Sequence, residues 1–195
     1  MIRKITRRDK EIFLALSEEF YASSAVLHPL PRAFHERTFA ELMRSDKYAD
    51  GFILEEDDIA VGFGLTAKTF SREGGGMVLW LEELYILPDY RCRGLGKQYF
   101  DFIEEYARKN NFARIRLEVE EYNVRALALY ERLGYQPLDY CQMVKELALG
   151  EEPEVGRGHG GGWPPLPRGR LFQLSRRQHG NLGVGRLSPA LPIWG

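Results

Sequence analysis

The sequence predicts an α/β fold with a mixed β-sheet, in which some strands are antiparallel as in α+β proteins. Helices are expected on both faces of this sheet. Apolar residues alternate between strand period and helix period over roughly the first 147 residues, so strands and helices are interleaved. Three strand-like segments also follow one another across short turns, as in an antiparallel meander. After them a glycine-rich turn leads into an amphipathic helix, which extends the fold beyond the meander.

The N-terminal region predicts one strand and two helices. Ile2 to Thr6 has the composition of a short strand, and a helix begins at Asp9. The apolar residues at helical spacing in this helix are Ile12, Phe13, Leu16 and Phe20. Pro29-Leu30-Pro31 then interrupts the chain, and a second, shorter helix ends near Ser45.

The three strands of the meander are separated by recognisable turns. We expect strands at Gly51–Glu55, Ile59–Phe70 and Met77–Ile86. The acidic turn Glu56-Asp57-Asp58 lies between the first two, and the glycine run 74–76 lies between the last two.

The following segment alternates helix and strand again. The predicted elements are a helix from Gly96 to Asn110, a strand Ile115–Val119, a helix from Asn123 to Gly134, and strands Tyr135–Leu138 and Tyr140–Leu147. Asn123 is a suitable helix N-cap, and Gly134 a suitable C-terminal stop. The complete predicted order is β-α-α-β-β-β-α-β-α-β-β.

Composition changes abruptly near Gly150, where glycine, proline and arginine increase and apolar periodicity ends. We therefore predict one domain over residues 1–149 and a disordered Gly/Pro/Arg-rich tail over residues 150–195.

Charge and cysteine content restrict the classes of partner. The formal net charge is −1, which gives no strong overall field toward nucleic acid or an anionic membrane. Cys92 and Cys141 are too few for a disulfide framework and lack metal-ligand spacing, so we expect a reducing compartment and no metal. No window approaches 18 apolar residues, which predicts a cytoplasmic protein without a membrane span.

The most informative stretch is Arg91-Cys92-Arg93-Gly94-Leu95-Gly96, between a strand and a helix. Closely spaced glycines permit a tight turn whose N–H groups point inward, and a helix N-terminus favours an anion. Arg91, Arg93 and Lys97 add positive charge. The pattern is not a Walker A loop, and Tyr99 stands where a dinucleotide-binding fingerprint needs its third glycine. These features predict a phosphate-binding loop of another kind.

This R-x-x-G-x-G pattern resembles the pyrophosphate loop of the GNAT superfamily of acyl-CoA-dependent N-acetyltransferases. Glu83 to Arg91 resembles the strand and turn that precede the loop in that family. Leu117-Glu118-Val119 and Asn123-x-x-Ala126-x-x-x-Tyr130-Glu131-x-x-Gly134-Tyr135 resemble its second cofactor motif. The resemblance covers roughly residues 1–147.

The resemblance implies a split between the central strands and acetyl-CoA as the acetyl donor. Backbone N–H groups from Arg91 to Lys97 would hold the pyrophosphate, and Asn123 would lie near the pantetheine arm. An unpaired N–H at the end of the preceding strand would bind the thioester oxygen. The cofactor-binding residues that the resemblance implies are Leu84, Tyr85, Ile86, Arg91, Cys92, Arg93, Gly94, Leu95, Gly96, Lys97, Asn123, Ala126 and Tyr130.

Acetyl transfer to an amine favours an acid–base pair. An alkyl ammonium with a pKa of roughly 10.4 needs about 4.6 kcal/mol to reach its neutral form at pH 7, so a general base is useful. Period-two alternation predicts that Glu82 and Glu83 point to opposite strand faces. Glu83 is the first candidate base and Glu118 the second, and Tyr130 is the candidate acid for the leaving thiolate.

The acceptor is less well defined by sequence. The candidate substrate-binding residues are Tyr21, His28, Phe34, Trp80 and Glu82. They suggest a partly aromatic, acidic pocket for a small cationic amine, with direct transfer in a ternary complex. The alternatives are a peptide N-terminus or lysine side chain as acceptor, and a non-catalytic acyl-CoA sensor. We expect a monomer or homodimer.

Overall fold

The computed structural model describes residues 1–23, 26, 29–120, 123–138, 140 and 142–145. Within these residues the elements are, in chain order, β1 Ile2–Lys4, α1 Lys10–Ala22, α2 Arg32–Arg44, β2 Ala49–Glu56, β3 Ile59–Ser71, β4 Gly76–Ile86, α3 Leu95–Lys109, β5 Arg114–Leu117 and α4 Val124–Arg132. Single 3-10 turns precede α1 and α3. All these elements lie in the first of two units of the chain, residues 1–139. The predicted domain boundary at residue 149 lies outside the described residues.

The strands form one mixed sheet in the order β1-β2-β3-β4-β5. The first four are antiparallel neighbours, whereas β4 and β5 are parallel. Asp57 and Asp58, with φ of 51° and 62°, make the tight β2–β3 turn, since aspartate tolerates the left-handed region better than most residues. The predicted α/β fold with a mixed sheet and an antiparallel meander is therefore confirmed.

Helices cover both faces of the sheet because successive strand residues point to opposite sides. On one face, Ile53 and Phe63 pack in a single cluster with Phe13 and Leu14 of α1 and Phe39 of α2. The second cluster, on the α3 face, contains Phe52, Leu54, Val61, Leu79, Tyr99 and Ile103. Burying each large apolar side chain stabilises the fold by roughly 1.5–3 kcal/mol.

Glycine in β3 allows α3 to lie close to the sheet. A Cβ atom on Gly64 would overlap the ring and hydroxyl of Tyr99, which is fully buried. Gly64 pairs with Leu84 of β4, so the contact places α3 over the C-terminal half of β4. The glycine-rich loop before α3 is thereby held near the end of that strand.

The two C-terminal strands of the prediction are not present among the described residues. Residues 135–138 have no regular secondary structure, and neither have Tyr140 and residues 142–145; the other positions in 139–147 lie outside the described residues. Tyr135 packs its ring at 6.0 Å from both Phe100 and Tyr130, and Pro137 lacks an N–H for a strand ladder. Apolar composition predicted strands here, but a strand also needs a paired neighbour.

Candidate active site

A gap opens between the two parallel strands. The β4–β5 register ends at Leu81 opposite Leu117, whereas β4 continues to Ile86. Residues 118–120 extend beyond the end of β5 without pairing to β4. The second half of β4 therefore has β3 on one side and an opening on the other.

Two backbone N–H groups of β4 face this opening. The N–H of Leu87 donates to the carbonyl of Val61 on the β3 side at 2.9 Å. Because hydrogen-bonding directions alternate along a strand, the N–H of Tyr85 also faces β3, and those of Leu84 and Ile86 face the opening. Of the three residues that sequence suggested as oxygen-binding donors, only Leu84 and Ile86 have the N–H direction that this role needs.

A β-bulge at Glu82 changes the direction of the neighbouring side chains. Leu65 is opposite Glu83 and Thr66 is opposite Leu81, which leaves Glu82 as the extra residue on β4. Glu82 and Glu83 consequently line the same pocket. The prediction that they point to opposite faces is wrong, because it assumed an unbroken period of two.

The pocket at the opening has a volume of about 460 Å³. It is lined by Phe20, Tyr21, Val26, Glu82, Glu83, Glu118, Val119, Glu120, Asn123 and Tyr130. Among these described residues four carry carboxylates and none carries a positive charge. The two predicted base candidates and the predicted acid thus lie around one pocket, and its potential favours a cation.

Two of the pocket carboxylates, Glu82 and Glu83, have raised pKa values. Burial raises the pKa of Glu83, with a further rise from the charge of Glu82, whereas a hydrogen bond from Tyr21 opposes that rise. Partial desolvation raises the pKa of Glu82, and the charge of Glu118 raises it further. A raised pKa makes a carboxylate a stronger base near neutral pH.

Tyr130 lies on α4, and its position is set by the start of that helix. Asn123 accepts the N–H of Ala126 through its side-chain oxygen at 3.2 Å, which confirms the predicted N-cap. The Tyr130 ring packs at 5.5 Å from Phe100. Burial raises the pKa of Tyr130, so its hydroxyl stays protonated at neutral pH and can donate a proton.

The glycine-rich loop adopts a left-handed turn before α3. Gly94 has φ of 85°, and Cys92 has φ of 61°. The first helical hydrogen bond runs from the N–H of Gln98 to the carbonyl of Gly94 at 3.0 Å, so the N–H groups of residues 95–97 precede the helical ladder. No side chain of the described residues caps this end. A Cβ atom on Gly96 would meet no described atom within 4 Å, which leaves room for a ligand.

The cationic side chains of the loop are exposed and hold protein partners. The Nε of Arg91 donates to the carbonyl of Ile86 at 2.8 Å. Arg93 pairs with Glu56 at 2.9 Å, and Lys97 with Asp101 at 2.6 Å. Such exposed pairs are worth about 0–1 kcal/mol each, so an incoming polyanion can replace them. Leu95, only 5% exposed, anchors the loop in the core.

Two predicted acceptor residues do not line the pocket. Phe34 is exposed on α2 and lies under the guanidinium of Arg37. Trp80 stacks with Arg116 at 4.4 Å in the paired part of β4 and β5, before the opening begins. His28 lies outside the described residues. Four further residues line the pocket without having been predicted as site residues: Phe20, Val26, Val119 and Glu120. Val26 and Glu120 lie outside the predicted helices and strands, and the apolar side chains of Phe20 and Val119 gave no sign of a reactive site.

A family model described as the Acetyltransferase (GNAT) family matches residues 10–135. The chain belongs to this family. Over 78 residues it is 36% identical to the thialysine N-epsilon-acetyltransferase of Bos taurus, a match that covers 40% of this chain and 45% of the bovine protein. The chain spans about half the length of the curated relatives it matches.

Solved structures show the same fold. A possible acetyltransferase from Clostridium difficile 630 superposes with a TM-score of 0.67 at 22% identity, over 75% of this chain and 97% of that one. The aminoglycoside N-acetyltransferase AAC(6')-Iy, in complex with the bisubstrate analog CoA-S-monomethyl-acetylneamine, superposes with a TM-score of 0.64 at 18% identity, over 76% of this chain and 98% of that one.

None of the helices in the described part of the chain has the length and apolar character that a bilayer crossing requires. The same described residues include no group of three or more His, Cys, Asp or Glu side chains that could hold a metal ion.

Proposed function

We propose that this protein transfers an acetyl group from acetyl-CoA to a primary amine of a small cationic molecule. The observation that carries the proposal is the convergence of Glu83, Glu118 and Tyr130 on one acidic pocket at the β4–β5 opening. Membership of the GNAT family supports acetyl transfer as the reaction.

In this proposal acetyl-CoA binds along the loop and the opening. The N–H groups of residues 95–97 hold the pyrophosphate at the N-terminus of α3, where the helix dipole favours an anion. Arg91, Arg93 and Lys97 exchange their exposed protein partners for phosphate oxygens. Asn123 and Ala126 lie beside the pantetheine arm at the start of α4. A protein with this fold has been solved with a bisubstrate analog of CoA, which supports CoA as a ligand of the fold.

The reaction proceeds by direct transfer in a ternary complex. Glu83 takes a proton from the acceptor ammonium, and the resulting amine attacks the thioester carbon. The carbonyl oxygen becomes an oxyanion, to which the N–H groups of Leu84 and Ile86 can donate. When the C–S bond breaks, Tyr130 gives its proton to the thiolate and recovers one from the nitrogen, which loses its second proton on forming the amide. The proton on Glu83 returns to solvent.

The pocket favours a cationic acceptor. Four carboxylates attract an ammonium group and would repel an acceptor whose nearest groups are anionic. The name of the bovine relative states acetylation of the ε nitrogen of thialysine, which supports an amine as acceptor.

The test is incubation of the full chain with acetyl-CoA and a panel of diamines, amino acids, aminoglycosides and peptides, with release of free thiol as the signal. We expect release that depends on acceptor and is fastest with small cationic amines. If free thiol is released only with peptides, the acceptor is a peptide amine and not a small molecule. Binding of acetyl-CoA without release for any amine would make the protein a non-catalytic acyl-CoA binder.

A further inference from the structure

Tyr21, on the last turn of α1, makes a short hydrogen bond into the pocket. Its hydroxyl donates to Oε1 of Glu83 at 2.6 Å. We propose that Tyr21 is a positioning residue, whose hydroxyl holds Oε1 of Glu83 and leaves Oε2 as the oxygen that accepts the proton of the acceptor ammonium. This inference rests on the proposed function. It assigns Tyr21 a different role from the acceptor contact that its sequence position suggested.

The Tyr21 ring is held from several sides, so its hydroxyl has a defined position. His35 of α2 packs edge-on against it at 5.4 Å, and Phe20 does so at 5.1 Å. His35 is itself buried and lies 2.8 Å from the hydroxyl of Ser17 through its Nδ1. A second hydrogen bond between the same two elements, from Tyr85 of β4 to Glu19 of α1 at 2.8 Å, fixes their relative position. The side chain that orients Glu83 is therefore itself fixed by packing, and the two elements that carry Tyr21 and Glu83 are fixed relative to each other.

The hydrogen bond distinguishes Glu83 from the other carboxylates of the pocket. A hydroxyl donor stabilises the ionised form of its partner, so Tyr21 keeps Glu83 available as a base although burial and Glu82 oppose its charge. Desolvation and the charge of Glu118 raise the pKa of Glu82, and no hydrogen bond from a described residue offsets that rise. Of these two carboxylates, Glu83 is accordingly the one whose ionised form a hydroxyl donor stabilises, and it is the one that α1 orients.

Tyr21 donates but does not transfer its proton. Burial raises the pKa of Tyr21, and the charge of Glu83 raises it further, so the phenol stays neutral throughout. The proton taken from the ammonium forms a bond to Oε2 of Glu83 as the N–H bond breaks, and it later leaves to solvent. The ionisable groups around Glu83 are Glu82 on its own strand, Tyr21 on α1, His35 packed behind Tyr21, Glu118 and Glu120 after β5, and Tyr130 on α4.

The experiment compares the pH dependence of kcat/KM for the full chain and for Tyr21→Phe, which keeps the ring and removes the donor. The acid limb reports the free-enzyme base, because activity is lost as pH falls through the pKa of Glu83. Without the hydrogen bond we expect this limb to move up by about one pH unit, with roughly tenfold lower activity below the limb and near-normal activity above it. Tyr106→Phe is the matched control, because it removes another 2.6 Å tyrosine–carboxylate hydrogen bond, to Asp50 outside the pocket.

An unmoved acid limb in folded Tyr21→Phe, or an equal loss of activity at every pH, would overturn the positioning role. A second measurement does not need turnover: the glutamate carboxyl carbons are titrated by ¹³C NMR, with Glu83→Gln used to assign the Glu83 signal. We expect Tyr21→Phe to raise the pKa of Glu83, and an unchanged pKa would also contradict the inference. If the wild-type chain acetylates no amine, the proposed function fails, whereas the NMR titration still decides whether Tyr21 controls Glu83.

Discussion

At the scale of single residues, the bulge at Glu82 has the largest consequence for the chemistry. One extra residue on β4 brings two adjacent glutamates to the same pocket, where a regular strand would have separated them. The same irregularity accompanies the end of the β4–β5 pairing, so acid and base candidates meet where backbone N–H groups of β4 face the opening. A local departure from strand geometry therefore creates the candidate site.

Tyr130→Phe tests the acid at this scale. The variant keeps the ring contact with Phe100 and removes only the hydroxyl, so folding and CoA affinity should survive while kcat falls by roughly 10²–10⁴-fold. Tyr135→Phe is the control, because Tyr135 belongs to the same aromatic group but does not line the pocket. The loss should shrink with an acyl donor whose thiol is more acidic. Near-normal turnover of Tyr130→Phe, with chemistry rate-limiting, would show that the hydroxyl is not the acid.

Single residues also show what sequence could and could not predict. Asn123 was predicted as an N-cap from residue type alone, because capping is a local interaction. The burial of individual α1 residues was not predicted as well. Ile12 was assigned to the apolar face but is 38% exposed, whereas Leu14 was not assigned to it and is 1% exposed. Small rotations of a helix change which apolar residues meet the sheet, and tertiary packing decides them.

At the scale of elements, the loop–α3 unit was predictable because its conformation depends on nearby residues. Glycine at 94 adopts the left-handed region that the turn requires, and the helix that follows supplies free N–H groups. The strands after Gly134 were not predictable in the same way, because pairing depends on residues distant in sequence. Trp80 shows the same limit: its contact with Arg116 depends on the register of β4 and β5.

Gly96→Glu tests the loop. A Cβ atom at this position meets no described atom within 4 Å, so we expect the free variant to keep its melting temperature, whereas its carboxylate would occupy the space proposed for the pyrophosphate. We expect CoA to raise the melting temperature of the wild-type chain and not that of Gly96→Glu. Gly74→Glu, at a turn on the opposite end of β4, controls for the added charge. An unchanged CoA affinity of folded Gly96→Glu in calorimetry would remove the loop from the cofactor site.

At the scale of the whole molecule, the described elements, the two core clusters and the pocket all belong to the unit of residues 1–139. Sequence composition predicts a domain over residues 1–149 and a Gly/Pro/Arg-rich tail after it, because a packed core needs apolar periodicity, and this division stays a prediction.

A chain ending at Gly150 tests this division. It loses no segment with helix or strand periodicity, so it should unfold cooperatively and bind CoA with the affinity of the full chain. The measurements are thermal unfolding by circular dichroism and calorimetric titration with CoA. A large drop in melting temperature would show that residues beyond 150 contribute to the folded domain.

The most direct test of acetyl transfer at the β4–β5 opening is the turnover of Glu83→Gln at saturating acetyl-CoA and acceptor, measured with its CoA affinity. Glutamine keeps the shape of the side chain and an acceptor for the Tyr21 hydroxyl, but it removes the base. We predict turnover lower by roughly 10²–10⁴-fold near neutral pH, partial recovery at high pH where free amine is abundant, and unchanged CoA affinity. Wild-type turnover in Glu83→Gln across the pH range would contradict the account.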